Sequence, residues 1–578
     1  MKDPLIHRLR IVGVIMFLFA GIIIGRLFFL QIVSADHYKR EANNQYVAVS
    51  EEEFDRGKIF FKEKNNTTLS ASSVKSGFVL ALTPSLLPED KEGVYDKLSS
   101  VVDIDKEDFL KKAEKKGDPF EDIAHKLTSK QAETIKSYAI PGVKSYREDW
   151  RLYPAGNLSS HVLGFVGYKG DKLVGRYGIE EYYEDVLKRG SDNDFLINSF
   201  AEIFLNTGKN LFAGDKNSGT KVDREGDIVL TIEPKVQLFL EDTLDKIMDK
   251  WDSSLSGGII IEPKTGRILA MAAKPDFNPN HYGDETDLSV FVNPNIESVF
   301  EFGSIMKPLT IAAALNDKVI TPNTTYDDKG YISLNGSRIE NYDGKARGIV
   351  DMQEVLNHSL NTGAVFAMQQ LGKDRFYDYI IKYGFGDYTG VDLPGEVKGL
   401  ISNLDSSREI EYATASFGQG VALTPIEMTR ALSTMANGGE LMKPYVVDKI
   451  LVAGGLDINI EPKKQDNVLS KETSKKITSM LINTVDTALL NGTVKLEHYS
   501  LAAKTGTAQL PSVDDKGYDK DKYLHSFFGY GPAYDSRFLV FLYVKEPVGA
   551  RYASETLTYP FMDLMKFLLN YYEVPPDR

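Results

Sequence analysis

The stretch Gly303-Ser304-Ile305-Met306-Lys307-Pro308-Leu309-Thr310-Ile311-Ala312-Ala313-Ala314-Leu315 decides how the rest of the chain is read. Its apolar, alanine-rich second half predicts a helix, and Ser304 falls in the first turn. There the free backbone N–H groups and the positive end of the helix dipole can stabilise developing negative charge. Lys307 lies three residues on, on the same face and within reach of the serine oxygen. Taken alone, the pair is better read as a capping serine beside a solvated lysine.

Two more short motifs follow in order, Ser359-Leu360-Asn361 and Lys504-Thr505-Gly506. An S-x-x-K, an S-x-N and a K-T-G form the set found in penicillin-binding proteins and class A β-lactamases. Order alone does not select them. Ser72 to Lys75, Ser191-Asp192-Asn193 and Lys264-Thr265-Gly266 repeat the patterns in the same sequence. Context separates the sets: Ser72 stands in a polar stretch, Ser191 in a loop and Lys264 in a hairpin turn, whereas Ser304 opens a helix and Lys504 sits on a predicted strand.

A serine hydroxyl is a poor nucleophile until a base takes its proton. Lys307 can be that base if burial and a second cation, Lys504, lower its pKa. Ser359 can relay a proton to the leaving amine, and Asn361 can hold the substrate's peptide bond. The strand edge at Lys504 to Thr507 can pair with an extended peptide. The hydroxyls of Thr505 and Thr507 can bind a terminal carboxylate, and the N–H groups of Ser304 and Thr507 can form an oxyanion hole.

Around the motifs, Ile228 to Ile232 reads as a strand and Pro234 opens a helix with Val236, Leu240, Leu244 and Ile247 at helical spacing. Gly258 to Ile261 and Ile268 to Ala272 read as a hairpin about Pro263 to Gly266. Leu501 to Ala508, Ser526 to Gly529 and Phe538 to Val544 read as strands, and Thr556 to Asn570 as a final helix. Strands at both ends of a helical middle predict an α/β domain whose sheet is completed by distant segments. Upstream, Asp105 to Gly117 predicts a solvated helix, and Gly214 to Asp227 predicts a linker.

The chain has 578 residues, too many for one core. Its net charge of −14 disfavours nucleic acid as a partner. The absence of cysteine excludes disulfides, cysteine zinc sites and a thiol nucleophile. The 8 histidines never form H-E-x-x-H, no P-loop is present, and neither a metal nor a cofactor is expected. Ile11 to Val33 is apolar except for Arg26 and Gln31. As a helix it would span about 34 Å, enough for a bilayer core of about 30 Å. Lys2, Arg8 and Arg10 before it predict a cytoplasmic N-terminus and an extracytoplasmic remainder. A cleaved signal peptide ending near Ala35 is the rival, disfavoured by the length of the apolar block and by Arg26.

The chain resembles the class B penicillin-binding proteins over nearly its whole length. The resemblance is carried by Arg26 to Gln31, Arg56-Gly57-Lys58-Ile59, Arg151-Leu152-Tyr153-Pro154, Gly175 to Glu180, Lys264 to Met271, Ser416-Phe417-Gly418-Gln419-Gly420 with Thr424-Pro425, and His525 to Pro532, besides the three motifs. It departs from the family at Phe302, where proline is usual, and at Ala503, where glycine is usual.

The resemblance implies an α/β penicillin-binding (serine transpeptidase-like) domain with a helical subdomain at 223–578. A mixed α/β pedestal at 36–222 and a transmembrane anchor at 1–35 would precede it. Arg56, Arg151 and Glu180 would tie the pedestal together by ion pairs. The implied activity is peptidoglycan D,D-transpeptidation of stem peptides, with Ser304, Lys307, Ser359, Asn361 and Lys504 catalytic and Thr505, Gly506 and Thr507 binding substrate. β-Lactams would acylate Ser304. A polytopic glycosyltransferase and division or elongation proteins are the implied partners, with a lean to the division and sporulation branch. Two alternatives stand beside this reading: hydrolysis, as in a D,D-carboxypeptidase or β-lactamase, and an inactive β-lactam-binding scaffold.

Overall fold

The computed structural model describes residues 19, 54–115, 118, 120–170, 172–189, 225–452, 455–512 and 517–578. Apart from Phe19, the apolar block 11–33 lies outside these, as do the second decoy triplet at 191–193 and most of the expected linker. Two compact units result, one holding Val74–Trp150 and the other Arg56–Ser73 with Arg151–Arg578.

In the first unit, the last residues of strand β1 (Thr68–Leu82) pair antiparallel with β2 (Glu121–Leu127), with Leu82 opposite Glu121. Helices α1 (Lys91–Ser99), α2 (Lys106–Ala113) and α3 (Ser129–Ser137) belong to the same unit. Leu80, Leu98, Phe109 and Ile135 form its core. The solvated helix expected from Asp105 is α2, whose start is fixed where the Asp105 carboxylate accepts the Asp108 N–H at 2.7 Å. Its expected C-terminal Gly117 lies outside the described residues.

The second unit is organised about a five-stranded sheet. In chain order its strands are β3 (Leu255–Glu262), β4 (Arg267–Lys274), β5 (Ala502–Pro511), β6 (Tyr518–Gly531) and β7 (Phe538–Lys545). In space they run β5-β6-β7-β3-β4, so β5 is an edge and the sheet joins segments from either side of the helical middle. Alternation along each strand feeds two cores. Ile260, Val540 and Leu542 pack with Leu240 and Leu244 of α4 (Pro234–Trp251) and with Leu564 and Leu568 of α5 (Thr558–Tyr571). Ile259, Ile261, Leu539 and Phe541 face the helical middle of the chain. The strand expected at Ile228 to Ile232 runs Gly226–Leu230 and belongs to a different sheet, so the expected linker gives way two residues early: Gly226 and Asp227 already pair antiparallel with Val452 and Leu451.

Arg56, Arg151 and Glu180 meet in this same unit. Glu180 is fully buried and receives Arg56 Nε at 2.6 Å, Arg151 Nε at 2.7 Å and the Tyr153 hydroxyl at 3.2 Å. Burial alone would raise its carboxyl pKa; the two guanidiniums outweigh it and hold the group below the usual carboxylate range. The decoy Ser72 is fully buried and points its hydroxyl at this carboxylate from 3.5 Å, a structural setting. The decoy Lys264 pairs with Asp535 at the surface.

Candidate active site

The nucleophile motif folds as a short 3₁₀ turn, Gly303–Met306, running into helix α6 (Lys307–Asn316). The helix expected from the sequence therefore begins with a tighter turn, a common form of helix start. Gly303 has φ +62, which a side chain would resist, and a Cβ there would meet Thr507 O at 2.6 Å. Its N–H donates to Gly418 O at 3.1 Å, and the Ser526 hydroxyl donates to Phe302 O at 2.9 Å. The turn carrying Ser304 is thus clamped between the 416–420 loop and the sheet.

Gly506 completes the clamp from β5. A Cβ at this position would lie 2.3 Å from both Phe302 O and Ser526 Oγ, so only glycine lets the strand approach the turn. The two departures from the family pattern are absorbed locally. Phe302 is buried, with its ring edge-on to Phe541 at 5.2 Å. Ala503 stands opposite Gly529, where a Cβ would meet Ala503 Cβ at 2.8 Å, so the methyl that appears at 503 is missing from its cross-strand neighbour.

Ser359 follows α7 (Met352–Asn357) and precedes α8 (Asn361–Leu371). It adopts φ +53, an unusual conformation for a residue with a side chain. Both lysines converge on it. Lys307 Nζ donates to Ser359 O at 2.5 Å and to Ser359 Oγ at 3.1 Å. Lys504 Nζ donates to the same Oγ at 3.1 Å and to Thr505 O at 3.1 Å. In this arrangement the hydrogen bonds of Lys307 run to Ser359 rather than to the serine one turn before it.

Lys307 is fully buried, and burial first and the neighbouring charge of Lys504 second push its pKa well below the ordinary lysine value. Burial also pushes Lys504 down, to about 7. Two ammonium groups in one buried pocket cannot both stay charged cheaply, which suits one of them to act as a base.

Asn361 opens α8, its Nδ2 donating to Glu340 O at 2.7 Å. Beneath it lies a feature the sequence did not reveal. Buried Asp328 accepts from Thr362 Oγ1 at 2.8 Å and from Asn341 Nδ2 at 3.0 Å, which fixes the residues next to Asn361 and to Glu340. No motif or spacing marks Asp328, whose role depends on a fold-back of the chain.

Ser304, Ser359, Asn361, Lys504, Thr505 and Thr507 all line one cavity of ≈ 510 Å³. Lys307 backs it from beneath, and Gly506 seats the strand against the nucleophile turn. Phe417 and Gln419 also line it, as expected of the loop quoted from the sequence. Tyr342, Arg551 and Tyr552 were not foreseen. Tyr342 and Tyr552 meet edge-on at 5.7 Å. Taken together, the geometry offers a half-buried hydroxyl on a helix start, a buried lysine suited to be neutral, a second lysine and a free strand edge: the parts of a serine acyl-transfer site.

Comparison with known proteins agrees. A family model described as penicillin binding protein transpeptidase domain matches residues 257–566, and one described as penicillin-binding protein dimerisation domain matches 52–194. The chain belongs to the class B penicillin-binding proteins. It is 32% identical to the stage V sporulation protein D of Bacillus subtilis, over 98% of this chain and 85% of that one. It is 26% identical to a probable peptidoglycan D,D-transpeptidase, PenA, of Neisseria meningitidis, over 100% of this chain and 95% of that one. The crystal structure of penicillin-binding protein 2X from Streptococcus thermophilus superposes with a TM-score of 0.70 at 21% identity, covering 90% of this chain and 80% of that one.

Proposed function

We propose that this protein is a peptidoglycan D,D-transpeptidase of the division and sporulation branch, with Ser304 as its nucleophile. Ser304 Oγ attacks the carbonyl of the penultimate D-Ala of a stem peptide while Lys307 takes its proton. Ser359, bonded to both lysines, passes a proton to the departing D-Ala amine, and an ester on Ser304 remains. An amine from a neighbouring stem then attacks that ester, forming the cross-link and returning the proton to Ser304. Asn361 holds the donor's peptide bond. Thr505, Gly506 and Thr507 present the strand edge and hydroxyls to the donor's end, and the N–H groups of Ser304 and Thr507 receive the oxyanion, a contribution of about 3–4 kcal/mol per donor in comparable sites. β-Lactams acylate the same serine.

The observation that carries this reading is the convergence of Lys307 and Lys504 on Ser359 Oγ in the cavity lined by Ser304. The family works in membrane-associated cell-wall assembly. In keeping with that, residues 1–35 would form a single-pass anchor with a cytoplasmic N-terminus, 36–222 a pedestal and 223–578 the extracytoplasmic catalytic domain. Among the described residues no helix is long and apolar enough to cross a membrane, and the apolar block apart from Phe19 falls outside them. A polytopic glycosyltransferase and division proteins are the proposed partners.

The test is product analysis of the full chain in detergent with a donor ending in D-Ala-D-Ala, with and without an acceptor amine. A new amide between donor and acceptor, lost in Ser304→Ala, supports the transpeptidase. Release of D-Ala with water as the only acceptor would replace it by a carboxypeptidase, and no turnover with intact folding would favour the scaffold.

A further inference from the structure

A carboxylate entering the cavity must shed water, and it needs a lasting positive charge in exchange. Threonine hydroxyls supply hydrogen bonds but no charge. The two lysines of the site are held low by burial, Lys504 to about 7, so their positive charge fades as the pH rises through neutral. The other ionisable acidic and basic side chains on the cavity wall are Glu340, His358 and Arg551. Glu340 pairs with Arg338 at 2.7 Å, and His358 with Glu354 at 3.0 Å. Among the described residues, the Arg551 guanidinium forms no ion pair, and it lies over the Tyr552 ring at 5.6 Å.

An exposed arginine is ordinarily a solvated surface charge, but this one is held at a particular place. The Arg551 carbonyl accepts from His525 Nε2 at 3.2 Å, and its N–H donates to Glu555 Oε2 at 3.0 Å. Two residues on, the Ala553 N–H donates to Thr507 Oγ1 at 3.1 Å. Thr507 and His525 are cross-strand partners, so both attachments fall on one rung of the sheet. The same rung carries Thr507 O, the atom that Gly303 leaves room for beside Ser304. Arg551 also lies where the catalytic cavity meets an adjoining hollow of ≈ 760 Å³, sharing Tyr523 and Arg551 with it.

We propose that Arg551 is a specificity-determining residue that anchors the terminal α-carboxylate of the donor peptide, and the equivalent carboxylate of a β-lactam, beside Thr505 and Thr507. This rests on the acyl-enzyme reading above. The guanidinium keeps its charge at all working pH values and can present two parallel N–H groups to a carboxylate, which a lysine cannot do.

The test compares Ser304 acylation of the full chain in detergent by a penicillin with its free carboxylate and by its methyl ester. Arg551→Ala should slow acylation by the free acid roughly 10- to 100-fold, the range for losing a charge-assisted hydrogen bond. It should leave the ester nearly unchanged, with Arg551→Lys falling between for the acid. An equal loss with acid and ester, or none with either, would overturn the assignment. A loss confined to the acceptor-dependent step would overturn it too, since the carboxylate read would then be the acceptor's. If the wild-type chain were acylated by neither compound, the acyl-enzyme reading itself would fall, and this inference with it.

Discussion

Replacing Gly506 with alanine tests whether the seam between β5 and the nucleophile turn sets the rate. The added Cβ would meet Phe302 O and Ser526 Oγ at 2.3 Å, about 1 Å closer than ordinary van der Waals contact. Ser526 Oγ can swing aside only by giving up its 2.9 Å bond to Phe302 O, and that carbonyl belongs to backbone two residues before Ser304. The strand or the turn must therefore move by about 1 Å. A misplacement of that size can cost about 10²-fold in a reaction that depends on alignment, and overpacking costs about 1–3 kcal/mol of stability. The assay is the second-order rate of covalent labelling by a fluorescent penicillin, with circular dichroism to show that the variant is folded. Labelling of a folded Gly506→Ala at close to the wild-type rate would refute the reasoning.

Lys504→Gln removes the second cause of the low Lys307 pKa, leaving burial as the first. The Lys307 pKa then rises, less of the group is neutral at a given pH, and the acid limb of the acylation rate should move to higher pH; a limb unmoved or displaced toward acid in the pH profile would contradict this. Glu180→Gln leaves Arg56 and Arg151 buried without their counter-charge, a loss of about 3–5 kcal/mol at neutral pH, read as a lower denaturation midpoint. Because the folded pKa of Glu180 is depressed, its stabilisation is present above the ordinary value of 4.5 and is lost as the pH falls below it. The gap between variant and wild type should accordingly narrow in acid, and a gap independent of pH would count against the ion-pair account.

Much of this architecture was legible in the chain because its signals are local. Pro234, the apolar spacing of α4, the hairpin about Lys264 and the β-rich runs near the C-terminus each announce an element through a few adjacent residues. The three motifs could be separated from their decoys by context, and the structure shows why that succeeds: Ser72 is locked against Glu180 and Lys264 against Asp535, while Ser304 opens onto a cavity. Non-local features stayed hidden. Gly506 reads as part of a motif, but what its missing side chain accommodates is a carbonyl two hundred residues earlier in the sequence. Asp328 and Arg551 carry no pattern at all, since each matters through a contact made only after the chain has folded back. The start of the strand at Gly226 is hidden in the linker reading because glycine and aspartate are poor strand formers, and pairing with Leu451 and Val452 overrides that preference.

The most direct measurement is peptide mapping of the full chain after reaction with a penicillin, beside Ser304→Ala. The account predicts one covalent adduct, on the peptide that contains Ser304, and none in the variant. An adduct on another residue such as Ser72, or labelling that persists in Ser304→Ala, would contradict it.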